Sequence, residues 1–355
     1  MRSYLLSSNT TASVVVALDW FRSYLSDRHQ QAHFAGSFSG LAPILCGVPQ
    51  GSNLDPLLFL VYINDVINCS SKMNLIMFAD NTSAFLVGMN FMDLFNCMNQ
   101  ELEQLSMWFH VNLLSLNVKK SNYVLFKTRG KRVLESSIPI IRIDNTELCR
   151  ATNVKFLGVI INENLSWHMH IELVTNKVSK VIGIISKVKW LLPASTLKLL
   201  YTTLVLPYLN YCNVVWAGGY RTKLKPLLLL QKRAVRVICG VHYLTKSASL
   251  FKSLKLLTIY DIYKLQLGLL MFQHHVGTLP ALFADYFTEN ATVHDYNTRH
   301  KHSYRSEICR TNIRQSTVRI KGPQLWNSID ARIRDLRIYN VFKSAFKSCL
   351  LDQYC

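Results

Sequence analysis

Two short segments hold residue types suited to chemistry. Gly47-Val48-Pro49-Gln50-Gly51-Ser52 is a glycine- and proline-rich turn ahead of an apolar run, and Phe78-Ala79-Asp80-Asn81 puts a carboxylate and an amide between two short apolar stretches. Asp80 follows Ser52 by 80 − 52 = 28 residues. Taken alone, the first reads as a tight turn and the second as a polar hairpin tip. A third kind of chemistry is cationic. Lys177, Lys180 and Lys187 in one stretch, and Lys232, Arg233 and Arg236 in another, could hold phosphates, although each cluster singly also reads as a solvated helix face. His294, His300, His302 and Cys309 form the one set with zinc-ligand side chains, and their spacing, H-x5-H-x-H-x6-C, matches no common structural zinc site. Neither a G-x-x-x-x-G-K-[ST] loop nor a dinucleotide fingerprint occurs.

The elements that must position these residues are partly legible. Val15, Leu18, Trp20, Phe21 and Leu25 recur near helical spacing. Asp55-Pro56 predicts a helix cap followed by proline at the first helical position, with the helix running to about Val66. The runs 75–79 and 83–87 predict a hairpin with Asp80, Asn81 and Thr82 at its tip. A helix is expected over 91–112, with Met92, Phe95, Met98, Leu102, Leu105 and Trp108/Phe109 on one face, and strands at 122–127, 138–143 and 154–161, with a turn at Asp144-Asn145. From Ser166 onward the pattern is mostly helical. At 100° per residue from Lys177, Val178, Val181, Ile185 and Val188 fall at about 100°, 40°, 80° and 20°, while Lys180 and Lys187 fall at about 300° and 280°. One side of that helix is therefore apolar and the adjoining side cationic. A third basic run, less patterned, spans Arg299–Lys321.

Composition supports a folded chain with an anionic partner. The 355 residues are 50% hydrophobic and 17% charged, with a formal charge of +19. That charge is uneven: residues 1–120 carry 6 − 8 = −2 and residues 121–355 carry 34 − 13 = +21. Such a field attracts polyanions, and with three basic runs nucleic acid is the expected one. Nine widely spaced cysteines without a CxxC pair suggest a reduced intracellular protein, nuclear or cytoplasmic and not secreted. Residues 199–220 lack charge, but Thr202, Thr203, Pro207, Asn210 and Asn213 argue for a buried helix broken at Pro207, and no membrane partner is expected.

In order along the chain, GVPQGSNLDPLLFLVYINDV, FADNTSAFLV, LSLNVKKSNYVLF and VKFLGVIIN resemble four successive blocks of the reverse transcriptase of jockey-like non-LTR retrotransposons, and NLSW, LQKRAVRVI, YNTR and GPQLWNS continue the resemblance, from about residue 14 to the end. The resemblance implies an α+β fold: part of a right-hand polymerase palm, a small antiparallel sheet with packed helices, then a mainly helical thumb and a basic C-terminal region. The boundaries expected are a non-matching segment at 1–13, fingers and palm at 14–163, thumb at 164–240 and the basic region at 241–355.

It also implies template-directed nucleotidyl transfer with an RNA template, a DNA primer, deoxynucleoside triphosphates and Mg²⁺ or Mn²⁺. Asp80 stands at the position of a metal ligand, and Gln50, Gly51 and Ser52 at the turn that approaches nucleotide and template. Lys120, in the N-x-x-K block from Asn117, would lie near nucleotide phosphates, and Leu157 and Gly158 would support the primer end. Lys177, Lys180, Lys187, Lys232, Arg233 and Arg236 would track nucleic-acid backbone.

Two departures bear on catalysis. Asn81 replaces the second aspartate of the family's signature. The family's other essential aspartate lies in a strand upstream of the segment matching ALDWFRSYLSDR, so the resemblance implies an N-terminally truncated polymerase that a partner chain carrying that strand would complete. Loss of about 4 kcal/mol of transition-state stabilisation slows a reaction about a thousandfold. The expectation is an enzyme by descent that is inactive alone, with a non-catalytic RNA- or DNA-binding remnant as the alternative.

Overall fold

The computed structural model describes residues 12–45, 47–48, 51–127, 139–219, 221–293, 301 and 303–354, which fall into two compact units divided near residue 150. Gln50, His294, His300, His302 and the YNTR segment lie outside the described residues.

The first unit runs through α1 (Ala12–Leu25), β1 (His29–Gln30), β2 (His33–Phe34), β3 (Ser37–Phe38), β4 (Ala42–Pro43), α2 (Asp55–Ile63), β5 (Asn74–Phe78), β6 (Asn81–Phe85), α3 (Phe91–Val111), β7 (Asn122–Tyr123), β8 (Arg142–Ile143), β9 (Thr146–Glu147) and β10 (Cys149–Arg150). Its strands pair only two by two among the described residues: β1–β4, β2–β3, β5–β6 and β8–β9 antiparallel, β7–β10 parallel. The mixture of helices and small sheets is compatible with the α+β class, but the expected single palm sheet is here a set of separate two-stranded ribbons. α3 organises the unit. Phe95, Leu102, Leu105 and Phe109 are buried on one face, whereas Met92 is exposed in its first turn.

Several boundaries shift from expectation. Leu54, not Asp55, caps α2, and Asp55 donates its backbone N–H to Ser52 Oγ (3.1 Å), so the serine supplies the capping oxygen. α2 ends at Ile63 and continues as a 3-10 helix over Asn64–Cys69. The strand expected over 154–161 is a hairpin, because Leu157 and Gly158 take φ of 43° and 84° and reverse the chain. Asp144 and Asn145, at φ 48° and 61°, turn β8 into β9 as their residue types suggest.

The second unit starts with that hairpin, β11 (Asn153–Phe156) and β12 (Val159–Asn162), followed by α4 (His168–Val188), α5 (Ala194–Leu204), α6 (Leu206–Asn210), α7 (Asn213–Trp216), α8 (Arg221–Cys239), α9 (Ser247–Ser253), α10 (Ile259–His275), α11 (Asn312–Gln315), α12 (Val318–Ser328), α13 (Ala331–Arg334) and α14 (Tyr339–Asp352). The charge-free stretch at 199–220 breaks first at Val205, two residues before Pro207, which sits in the first turn of α6 where its missing N–H costs nothing. Among the described residues no helix is long and apolar enough to cross a membrane.

One core runs through the second unit. Val178, Ile182 and Ile185 of α4 belong to the same buried cluster as Leu227 and Ile238 of α8, Met271 of α10 and Phe342 of α14. Residues on both sides of the boundary expected at 240/241 therefore bury surface together. Buried Gln231 stitches three helices: its Nε2 donates to Tyr201 Oη (3.0 Å) and Leu257 O (3.2 Å), and its Oε1 accepts from Ile259 N–H (2.7 Å). Every hydrogen-bonding atom of that amide thus has a partner, as burial demands.

Candidate functional site

The hairpin β5–β6 is fixed at its root rather than at its tip. Ser70 accepts from Met73 N–H (2.8 Å) and donates to the Glu101 carboxylate of α3. Glu101 is only 4% exposed, and Lys72 Nζ lies 3.9 Å from it. Burial, with a smaller push from that carboxylate, raises the pKa of the neighbouring Cys69 thiol. Tyr62 Oη donates to Asn112 O (2.5 Å) and joins α2 to the end of α3. The ribbon is thereby tied to the unit's main helix through groups that water reaches poorly.

Ala79 and Asp80 form a two-residue turn at the tip, with Ala79 at φ 51°. Asn81 is not part of the turn. It is the first residue of β6, paired with Phe78. Both polar side chains are exposed, and Asn81 Nδ2 donates to Asp80 Oδ1 (3.2 Å). The tip therefore offers one carboxylate, with one oxygen engaged by a neutral amide. A pair of divalent ions wants several oxygen donors and charge to offset four positive charges. Among the described residues no group of three or more His, Cys, Asp or Glu side chains is arranged to hold a metal, so these donors do not by themselves fit a two-ion centre.

The glycine-rich turn is set from both sides. Arg28 Nη2 donates to Gly47 O (2.5 Å), and Ser52 holds the first turn of α2. Gly51, at φ 86° with nothing within 4 Å of where a Cβ would stand, leaves its backbone open to a ligand. In the N-x-x-K block the asparagine has a structural task. Asn117 Oδ1 accepts from Lys120 N–H (3.3 Å) and shapes the 3-10 turn Val118–Lys120, which presents Lys120 to solvent. No hydrogen bond or ion pair among the described residues joins Asp80 to Ser52 or Lys120.

In the second unit, the Leu157-Gly158 turn is clamped by residues the sequence did not point to. Tyr211 Oη donates to Leu157 O (2.5 Å), and a Cβ on Gly158 would stand 3.2 Å from the Tyr211 ring. Behind the hairpin, Ile160 N–H donates to Nδ1 of His170 (3.3 Å), whose ring meets Trp216 edge-on. Accepting at Nδ1 requires a neutral imidazole. Burial first, and the Lys177 charge second, lower the pKa of His170 accordingly.

Lys177, Lys180 and Lys187 are exposed on α4 as the angular count expects, with Lys177 over the Tyr208 ring. On α8, Arg233 is exposed and Lys232 half-buried. Arg236 is partly occupied within the fold, its Nε donating to Thr245 O (2.8 Å). The third basic run is partly neutralised, since Glu307 pairs with Arg314 (2.7 Å) and Arg319 (3.0 Å). Sequence spacing missed a further convergence. Lys198, Lys255 and Lys343 stand close enough to Lys347 that their charges, after burial, lower the pKa of its ammonium. Lys343 and Lys347 are one turn apart on α14, but Lys198 and Lys255 come from two distant stretches, so no local pattern announces the whole group. Cys309 donates only to Glu307 O (3.8 Å), and the seven described cysteines are free thiols.

Comparison with known proteins gives this arrangement a family setting. Residues 4–161 match the family described as reverse transcriptase (RNA-dependent DNA polymerase), and the match starts within the segment 1–13 set apart above. Among curated relatives from Drosophila melanogaster, the probable RNA-directed DNA polymerase from transposon X-element is 26% identical over 68% of this chain, as is that from transposon BS, and the RNA-directed DNA polymerase from mobile element jockey is 24% identical over the same share. The chain spans 27% of the length of each of these relatives. The resemblance to the polymerases of jockey-like non-LTR elements thus rests on comparison as well as on motifs. No solved structure matches the chain.

Proposed function

We propose that these residues form a template- and primer-binding part of an RNA-directed DNA polymerase that does not by itself complete nucleotidyl transfer. The observation that carries the reading is the supply of carboxylates: among the described residues, Asp80 at its exposed tip is joined by a neutral amide and by no further metal-ligand cluster. Gly51, Ser52 and Lys120 would face template and nucleotide phosphates, as would Gln50. Leu157 and Gly158 would support the primer end, held by Tyr211. Lys177, Lys180 and Lys187 would follow phosphates without reading bases, with Lys232, Arg233 and the free part of Arg236 adding to the field. A bound Mg²⁺ or Mn²⁺ would activate the primer hydroxyl, but that chemistry needs acidic donors beyond Asp80, which a partner chain would bring.

The test is binding. An RNA template annealed to a DNA primer should bind with log affinity falling linearly in log salt, by ~0.7–0.9 per phosphate neutralised. Replacing Lys177, Lys180 and Lys187 together with Gln should lower that slope by about 2 to 3. Asp80→Ala should leave it unchanged. Absence of binding at low salt, or loss of binding in Asp80→Ala, would contradict the reading. A purely non-catalytic binder makes the same binding prediction and differs in what added carboxylates would restore.

A further inference from the structure

The GPQLWNS segment, which the polymerase reading does not use, lines a cleft of about 480 Å³ in the second unit. Lys321 precedes it, and Gln324 and Leu325 belong to it. Across the cleft stand Arg221, the first residue of α8, and Tyr263 and Lys264 of α10. We infer that this cleft binds a nucleotide through its phosphate, as a site separate from the polymerase motifs and independent of whether the chain polymerises.

Three observations carry the assignment. The first is unbalanced charge. Lys264 is answered by Asp261 (2.9 Å), but Arg221 and Lys321 have no carboxylate partner among the described residues. The second is preorganisation. The Arg221 guanidinium lies 4.7 Å from the centre of the Tyr260 ring, and Tyr260 Oη donates to Arg221 O (3.0 Å), so one aromatic residue holds both ends of the arginine. A guanidinium fixed in this way suits a phosphate, which it can engage through two parallel hydrogen bonds. The third is an orphan. Tyr263 Oη is buried just beneath the cleft wall with no hydrogen-bond partner among the described residues, an arrangement that ordinarily costs stability and that a small shift of the ring toward a bound phosphate would relieve. Burial pushes its pKa to about 12, so at neutral pH it remains an O–H donor.

Gly218 explains how the hydroxyl is accommodated. A Cβ there would stand 2.8 Å from Tyr263 Oη and 2.7 Å from Ser316 O. Leu224, Leu267 and Leu325 supply an apolar wall, and the volume suits a nucleoside monophosphate better than a bare phosphate ion. A phosphate ester bearing a base could come from free nucleotide or from the 5′ end of a strand, and the two share this chemistry.

The experiment measures thermal midpoints and affinities of the full chain with uridine monophosphate, uridine, and an RNA octamer with or without a 5′ phosphate. Uridine monophosphate should raise the midpoint and uridine should not. Arg221→Gln combined with Lys321→Gln should weaken uridine monophosphate by ~tenfold or more, the scale of lost charge-assisted hydrogen bonds. Tyr263→Phe keeps the ring and removes the orphan hydroxyl. Its unliganded midpoint should stay level or rise, while nucleotide affinity falls about threefold. That second variant decides the matter if the double substitution fails to fold. Tighter binding of the phosphorylated octamer would assign the cleft to strand ends, and equal or weaker binding to free nucleotide; both support the site. Equal shifts by uridine and its monophosphate, no shift by any phosphate ester, or full affinity in Tyr263→Phe and the double variant would overturn it.

Discussion

Ala79 occupies the left-handed region at φ 51° in a turn that a glycine would make without strain. Ala79→Gly should therefore relieve about 1 kcal/mol locally and raise the hydrogen-exchange protection of β5–β6; lower protection would show that the alanine is not strained. Asn81 sits one residue from Asp80 with its amide already pointing at the carboxylate. Asn81→Asp places two carboxylates side by side, and Mn²⁺ affinity measured by calorimetry should rise about tenfold. An unchanged affinity would remove the tip from any metal-binding account. At this scale the sequence is informative about which residues matter and poor at saying where they stand. Asp80 and Asn81 are identifiable by type and neighbours, but the division between turn and strand depends on pairing with Phe78. Tyr211 and His170 carry no motif at all, because their roles arise from contacts 54 and 10 residues away.

Among elements, α3 and α4 were the most legible, since sustained 3.6-residue periodicity over 21 residues each leaves little ambiguity. The hairpin β11–β12 was not legible. A run of alternating apolar residues reads equally as one strand, and only the positive φ of Leu157 and Gly158 divides it. Gly158→Ala should destabilise the second unit by about 1–2 kcal/mol, through backbone strain at φ 84° and the Tyr211 contact, measured as a lower urea midpoint at constant slope.

His170 gives that hairpin a pH dependence whose sign is fixed. Its folded pKa lies below the ordinary value, as does that of His275, so between folded and unfolded pKa the unfolded chain binds more protons. Stability should be full above about pH 7, fall as pH drops past the unfolded value of about 6.5, and level off below the folded value. Urea titrations at several pH values should show this decline and its reduction in His170→Asn; a midpoint independent of pH would contradict the hydrogen bond to Ile160.

For the whole molecule, the charge asymmetry was readable from counting alone, and the structure adds where repulsion is concentrated. Lys347 is half-buried near Lys198, Lys255 and Lys343, and its folded pKa is lowered, so folding gains stability as pH rises toward the unfolded lysine value of about 10.4. Lys343→Gln should raise the thermal midpoint at low ionic strength and lose most of that advantage in about 1 M salt, where the Debye length is ~3 Å. Long-range convergence of this kind, like the core shared by Val178, Leu227 and Phe342, is set by tertiary packing and leaves no local trace.

On the function proposed above, one carboxylate at a hairpin tip is too few for nucleotidyl transfer. Primer extension on an RNA template by the purified chain, with Mg²⁺ or Mn²⁺ and all four deoxynucleoside triphosphates, tests it most directly. Primer binding without extension beyond background is the expected outcome. Robust extension by the chain alone, abolished by Asp80→Ala, would contradict it.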